Sequence, residues 1–181
     1  MFKRFLLVAL AAALTTAPAI AALQNGTSAP EFKAQASVGG KEFSFDLADA
    51  LKKGPVVLYF YPAAFTKGCT IEAHDFAAAI DQYKALGATV IGVSHDDIGT
   101  LDKFSVSECR SKFPVAADPS LTVAKAYDAV LAKDPGYANR TSYVITPDGK
   151  IIYSYTDLKP DKHVENTLAA LKAWKDSHKG P

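Results

Sequence analysis

Cysteine is scarce in this chain: 181 residues contain only Cys69 and Cys109. The Cys-x-x-Cys pair of a disulfide-exchange protein is missing, because Thr66 stands where its first thiol would be. No second cysteine or histidine pair stands at zinc-ligand spacing, so Cys69, His74 and His95 make a poor ligand set. An excess of one charge is missing as well. Twenty Lys and Arg against 19 Asp and Glu give a net charge of +1, with the signs interspersed, and no basic stripe marks a nucleic-acid partner. Internal repeats and low-complexity tracts are absent. Beyond the first residues no apolar run is long enough to span a membrane. No metal, haem or flavin cofactor is implied.

What is present begins with a targeting pattern. Lys3 and Arg4 precede the short apolar stretch Phe5 to Leu14, and Ala19-Ile20-Ala21 supplies the small residues a signal peptidase needs. The expectation is a signal peptide over residues 1–21, one domain over residues 22–181, and a bacterial periplasmic address. Export implies an oxidising compartment.

The rest of the chain alternates strand and helix patterns. Residues 31–36 and 41–45 flank Gly39-Gly40 as a hairpin, and Asp46 to Lys53 fits a short helix ended by Gly54-Pro55. Val56 to Tyr61 is a central strand, Cys69 to Leu86 a helix and Thr89 to Ser94 a second buried strand. Thr100 to Ser107 continues as a helix, with Phe113-Pro114-Val115 as a short edge segment. Ser120 is placed as the cap of a helix through Tyr127. A hairpin around Pro147-Asp148-Gly149 joins residues 141–145 to 150–155, and an amphipathic helix from His163 to His178 closes the chain. The fold class is α/β, a mixed central sheet flanked by helices.

Within that frame Cys69 has a special position. The apolar run Pro55-Val-Val-Leu-Tyr-Phe-Tyr-Pro62 ends at Pro62, and a helix opens just past Thr66-Lys67-Gly68. Unpaired N–H groups and the helix dipole at such a terminus favour an anion. Thiols so placed titrate at roughly 3.5–7.5 instead of about 8.5. Thr66 is a candidate N-cap. Glu72 and Asp75 fall in the first helical turns, and the four histidines (His74, His95, His163, His178) are expected as surface or helix residues. Cys109 lies among polar residues, Ser105 to Lys112, which suggests a partly exposed thiol able to move and react. Three readings stay open on the residues alone. They are attack on a small oxidant, thiol–disulfide exchange with proteins, and an exported binding domain held by a structural Cys69–Cys109 disulfide.

The segment Phe60-Tyr-Pro-Ala-Ala-Phe-Thr-Lys-Gly-Cys-Thr-Ile-Glu72 resembles the peroxiredoxins, thiol peroxidases of thioredoxin-like fold, through their Pro-x-x-x-Thr-x-x-Cys signature. Its Gly-Cys-Thr-x-Glu continuation is similar to the bacterioferritin-comigratory or Q-type branch. Asn139-Arg140-Thr141-Ser-Tyr-Val-Ile145 and the following Pro147-Asp-Gly-Lys150 resemble the family's arginine-bearing strand and turn. The resemblance implies reduction of hydrogen peroxide or organic hydroperoxides. It implies Cys69 as the attacking thiol, Thr66 as the hydroxyl that positions peroxide, Arg140 as the fixed cation and Pro62 as the shield of the pocket. Many Q-type members carry a second cysteine five residues after the first, where this chain has His74. Others carry it on the helix after the second strand, which implies Cys109 as the resolving thiol in an intramolecular disulfide. A thioredoxin-like dithiol protein is implied as reductant. Phe65, Tyr61 and Phe104 are candidates for an apolar lip. The expected state is a monomer or weak dimer.

Overall fold

The computed structural model describes residues 22–178. The expected signal peptide lies outside the described residues. Seven strands form one mixed sheet in the order β2-β1-β5-β4-β3-β6-β7. The strands are β1 (Lys33–Val38), β2 (Lys41–Asp46), β3 (Val56–Phe60), β4 (Thr89–Ser94), β5 (Val115–Ala117), β6 (Thr141–Ile145) and β7 (Ile151–Thr156). The helices are α1 (Leu47–Leu51), α2 (Lys67–Ala85), α3 (Ile98–Ser107), α4 (Thr122–Ala126) and α5 (His163–Ser177). The centre, β3, β4 and β5, is parallel, while β6 and β7 run antiparallel on one flank and β1 and β2 on the other.

All five residues of β3 are buried, which is why the strand lacks a polar alternation. Its side chains divide by parity. Val56, Leu58 and Phe60 enter a core layer shared with α1 and α4, and Val57 and Tyr59 enter the layer under α2, α3 and α5. Tyr59 crosses the strand pair so closely that a Cβ on its partner Gly92 would lie 2.6 Å from the ring. Leu168 and Leu171 bury the α5 face, as the heptad-like spacing requires, and Val164 and Trp174 are half-buried.

Three local expectations are corrected. Residues 113–115 are not an edge: β5 lies between β1 and β4, and Pro114 stands just ahead of it, its carbonyl accepting Gly92 N–H at 3.2 Å. Ser120 does not cap α4. Its hydroxyl pairs with Thr122 Oγ1 at 2.8 Å, the N-cap is Leu121 in a left-handed conformation, and Asp118 reaches in to accept Ala124 N–H at 2.8 Å. Helix α2 starts two residues earlier than expected, at Lys67, so Cys69 is its third residue.

Candidate active site

The carboxyl end of β3 and the start of α2 meet β6 at the site. Because Phe60 pairs with Thr141 in antiparallel register, the residue before β6, Arg140, comes to the end of β3 where the α2 loop begins. Arg140 is 4% exposed and each of its three guanidinium nitrogens donates a hydrogen bond. Nε donates to the Leu158 carbonyl at 2.9 Å, Nη1 to Glu72 Oε2, and Nη2 to Cys69 Sγ at 3.3 Å. Cys69 is itself 2% exposed. Its sulfur therefore has a fixed cation within hydrogen-bond distance, in the first turn of a helix, where the opening N–H groups have no intrahelical partner.

Gly68 makes that approach possible. A Cβ there would lie 3.0 Å from Arg140 Nη2. The sequence suggests only loop punctuation for this glycine.

Glu72 is the residue whose role the sequence reading missed. The sequence places it in the first helical turns near the dipole, and there it is fully buried. Burial pushes its carboxyl up to about 8, against the pull of Arg140. The signal available was spacing: three residues after Cys69, Glu72 shares its face of α2. His163, also expected at the surface or in a helix, opens α5 but is fully buried. Its Nε2 meets the Asp157 carbonyl at 2.9 Å, which requires a proton on Nε2, and Nδ1 then accepts from Ser142 Oγ at 2.8 Å. Burial lowers the His163 pKa and favours this neutral ring. Its Nδ1 stands 3.6 Å from Glu72 Oε1, so a neutral His163 lends the carboxyl no charge. Glu72 Oε1 has no hydrogen-bond donor among the described residues, which accords with the upward push on its pKa.

Thr66 is the N-cap of α2 by position, but its side chain caps nothing. The hydroxyl donates to the Ala63 carbonyl at 2.9 Å, leaving its lone pairs at the exposed start of the helix. Pro62 is half-buried at the end of the β3 run. Its carbonyl accepts from His95 Nδ1 at 2.8 Å, and Asp96 Oδ2 accepts Ala64 N–H at 2.8 Å, so the loop from Pro62 to Thr66 is tied to the end of β4. Of the three aromatic residues suggested as a lip, only Phe65 is exposed, at 50%; Tyr61 and Phe104 are core. Cys109 is not the partly exposed thiol expected. It is fully buried just past α3, in the same apolar layer as Cys69, and burial with the neighbouring Glu108 charge pushes its pKa well up. Both cysteines are free thiols.

The AhpC/TSA family model matches residues 25–154. The chain belongs to the AhpC/TSA family. Peroxiredoxin Q of the chloroplast of Oryza sativa subsp. japonica is 32% identical over 176 residues, covering 91% of this chain and 81% of that protein. Peroxiredoxin Bcp of Xanthomonas campestris is 32% identical over 124 residues, covering 65% and 76%. Among solved structures, peroxidoxin BcpB of Mycobacterium tuberculosis superposes with a TM-score of 0.75 at 29% identity, over 83% of this chain and 97% of that one. The protein is an AhpC/TSA peroxiredoxin of the Bcp and Q kind, with the thioredoxin-like sheet of that family.

Proposed function

We propose that this peroxiredoxin reduces hydrogen peroxide and organic hydroperoxides by attack of the Cys69 thiolate on the O–O bond. The observation that carries the reading is the 3.3 Å contact of Arg140 Nη2 with Cys69 Sγ at the start of α2. The guanidinium places a positive charge beside the attacking sulfur. The same fork, with the helix N–H groups, stabilises the charge that develops on the departing oxygen. Thr66, whose one proton is given to Ala63, offers its oxygen to the peroxide O–H. Pro62, tied by its carbonyl to His95, contributes a wall without a donor that would compete for the peroxide. Exposed Phe65 beside Thr66 supplies an apolar contact for the carbon of an organic hydroperoxide.

The products of the first step are a Cys69 sulfenic acid and water or an alcohol. In our reading the Cys109 thiol condenses with that sulfenic acid, giving an intramolecular disulfide and a second water. A thioredoxin-like dithiol protein returns both thiols by exchange. The amino-terminal signal pattern supports a periplasmic site of action, and we read the working unit as a monomer or weak dimer. The readings as a protein disulfide oxidoreductase and as a binding domain gain no support from the relatives, which are named peroxiredoxins.

Stopped-flow oxidation of the fully reduced protein by hydrogen peroxide tests this. The expected second-order rate lies orders of magnitude above that of free cysteine. Cys69→Ser should abolish it, and Cys109→Ser should consume one equivalent of peroxide and then stall or overoxidise. A wild-type rate equal to that of free cysteine would overturn the reading.

A further inference from the structure

The proposed disulfide demands movement. Five residues separate Cys69 from His74 on α2, about 7.5 Å of helix rise. His74 Nε2 stands 2.8 Å from Glu108 Oε2, and Glu108 directly precedes Cys109. This pair therefore fixes the Cys109 segment level with the second turn of α2, away from the first turn that holds Cys69. A disulfide needs Cα atoms within roughly 7 Å and Cβ atoms that point at each other. Cys109 is also fully buried, so it must leave its place to be joined.

The surrounding bonds show what holds that place. Cys109 N–H donates to the Phe104 carbonyl at 3.1 Å and Ser111 N–H to the Ser105 carbonyl at 2.9 Å, both local to the end of α3. Arg110 and Ser111 have φ of 52° and 56°, two successive non-glycine residues in the left-handed region, a conformation that opposes the closed arrangement. The His74–Glu108 contact joins this segment to the Cys69 helix, and it is partly sheltered, with side chains 38% and 18% exposed.

We propose that the His74–Glu108 pair is a clasp on the resolving step, retaining Cys109 in the core until the segment is released toward the Cys69 sulfenic acid. The proposal rests on resolution by Cys109 as read above. In that step Cys109 Sγ displaces the oxygen on Cys69 Sγ. An S–S bond forms and the S–O bond breaks. Cys109 sulfur is oxidised as Cys69 sulfur is reduced, and the oxygen leaves as water with the thiol and sulfenic protons. A tight clasp lengthens the life of the sulfenic acid, and a second peroxide can then carry it to sulfinic acid. The clasp thereby sets the partition between turnover and inactivation.

The test follows the reduced protein after one equivalent of hydrogen peroxide, quenched at intervals with a thiol-alkylating reagent and weighed by mass spectrometry. His74→Ala and Glu108→Gln should each form the Cys69–Cys109 disulfide about two- to fivefold faster than wild type. The double variant should be no faster than either single one, and the first oxidation step should be unchanged. Under excess peroxide both variants should accumulate less Cys69 sulfinic acid. His74→Lys, which keeps a donor opposite Glu108, should hold the rate near wild type; this separates the clasp from general loosening of the fold. Disulfide formation at the wild-type rate, or slower, in both single variants would overturn the clasp while leaving resolution by Cys109 intact. A wild-type protein that forms no such disulfide would overturn the resolution reading and the clasp with it.

Discussion

Cys69 and Cys109 lie in one layer of the core and are 2% and 0% exposed, yet they have opposite surroundings. Cys69 lies in the first turn of α2 and receives a hydrogen bond from a guanidinium. Cys109 stands past the end of a helix beside the Glu108 carboxylate, and burial raises its pKa well above that of an ordinary thiol. Exposure alone does not separate the two thiols. What separates them is the sign of the charge that the fold fixes beside each sulfur. One has a guanidinium within hydrogen-bond reach. The other is stored as a neutral thiol, which suits a group that attacks only after it has moved.

The contrast is broken most severely at Arg140. Arg140→Met removes the cation from Cys69 and leaves Glu72 buried without its partner, so the second-order rate with hydrogen peroxide should fall about 10²–10³-fold. Arg140→Lys should not restore it, because one ammonium cannot reach Leu158 O, Glu72 and Cys69 with the geometry of the fork. Stopped-flow rates on both variants check this, and a lysine variant within twofold of wild type would show that charge suffices without the fork.

The reach of sequence reasoning follows the same division. The central strand before Pro62 and the helix opening near Cys69 are local patterns of apolar runs and turn residues, present with shifts of one or two residues at their ends, and Arg140 ahead of β6 is found through the family resemblance. The misses are non-local. The place of Glu72 in the first turns of α2 is local, but only the register of β6, carrying Arg140 from 68 positions away, brings a buried cation to it. Cys109 looked partly exposed because Glu108 and Arg110 flank it, but the turn past α3 buries the thiol, leaves Arg110 exposed and turns Glu108 onto His74. Residues 113–115 read as a short edge segment, whereas β5 begins at Val115 and lies inside the sheet between β1 and β4.

The second way to sharpen the comparison is through Glu72, the carboxyl that shares Arg140 with Cys69. Burial raises its pKa to about 8, far above an unfolded carboxyl near 4.3. Between those values the folded protein holds a proton that the unfolded chain has released. Stability from this group is therefore present at low pH and lost as pH rises through that window, at up to about 1.4 kcal/mol per pH unit. Glu72→Gln should remove this component. Urea unfolding of wild type and variant at intervals from pH 5 to 8 should give curves that diverge with pH, the wild type falling more steeply. Parallel curves would mean that Glu72 is ionised throughout and that Arg140 outweighs burial.

The smallest change is at Gly68, where stability and chemistry should move in opposite directions. Gly68 lies inside the first turn of α2 and is not among the residues of positive φ, so alanine fits its backbone. Alanine in place of glycine in a helix contributes up to about 1 kcal/mol, the lower end applying in a first turn. The new Cβ, however, lies 3.0 Å from Arg140 Nη2, and the guanidinium must give way by a few tenths of an ångström. That is the same nitrogen that donates to Cys69 Sγ. Gly68→Ala should thus keep or raise the melting temperature while slowing peroxide reduction several-fold. Misplacing a hydrogen bond to charge weakens it without removing the charge, so the loss should stay well short of that in Arg140→Met. A variant that loses stability and rate together would place the cost in the helix start itself. Unchanged rate with raised stability would mean that the cation tolerates displacement, and that the distance from Arg140 to the sulfur is not what sets Cys69 apart from Cys109.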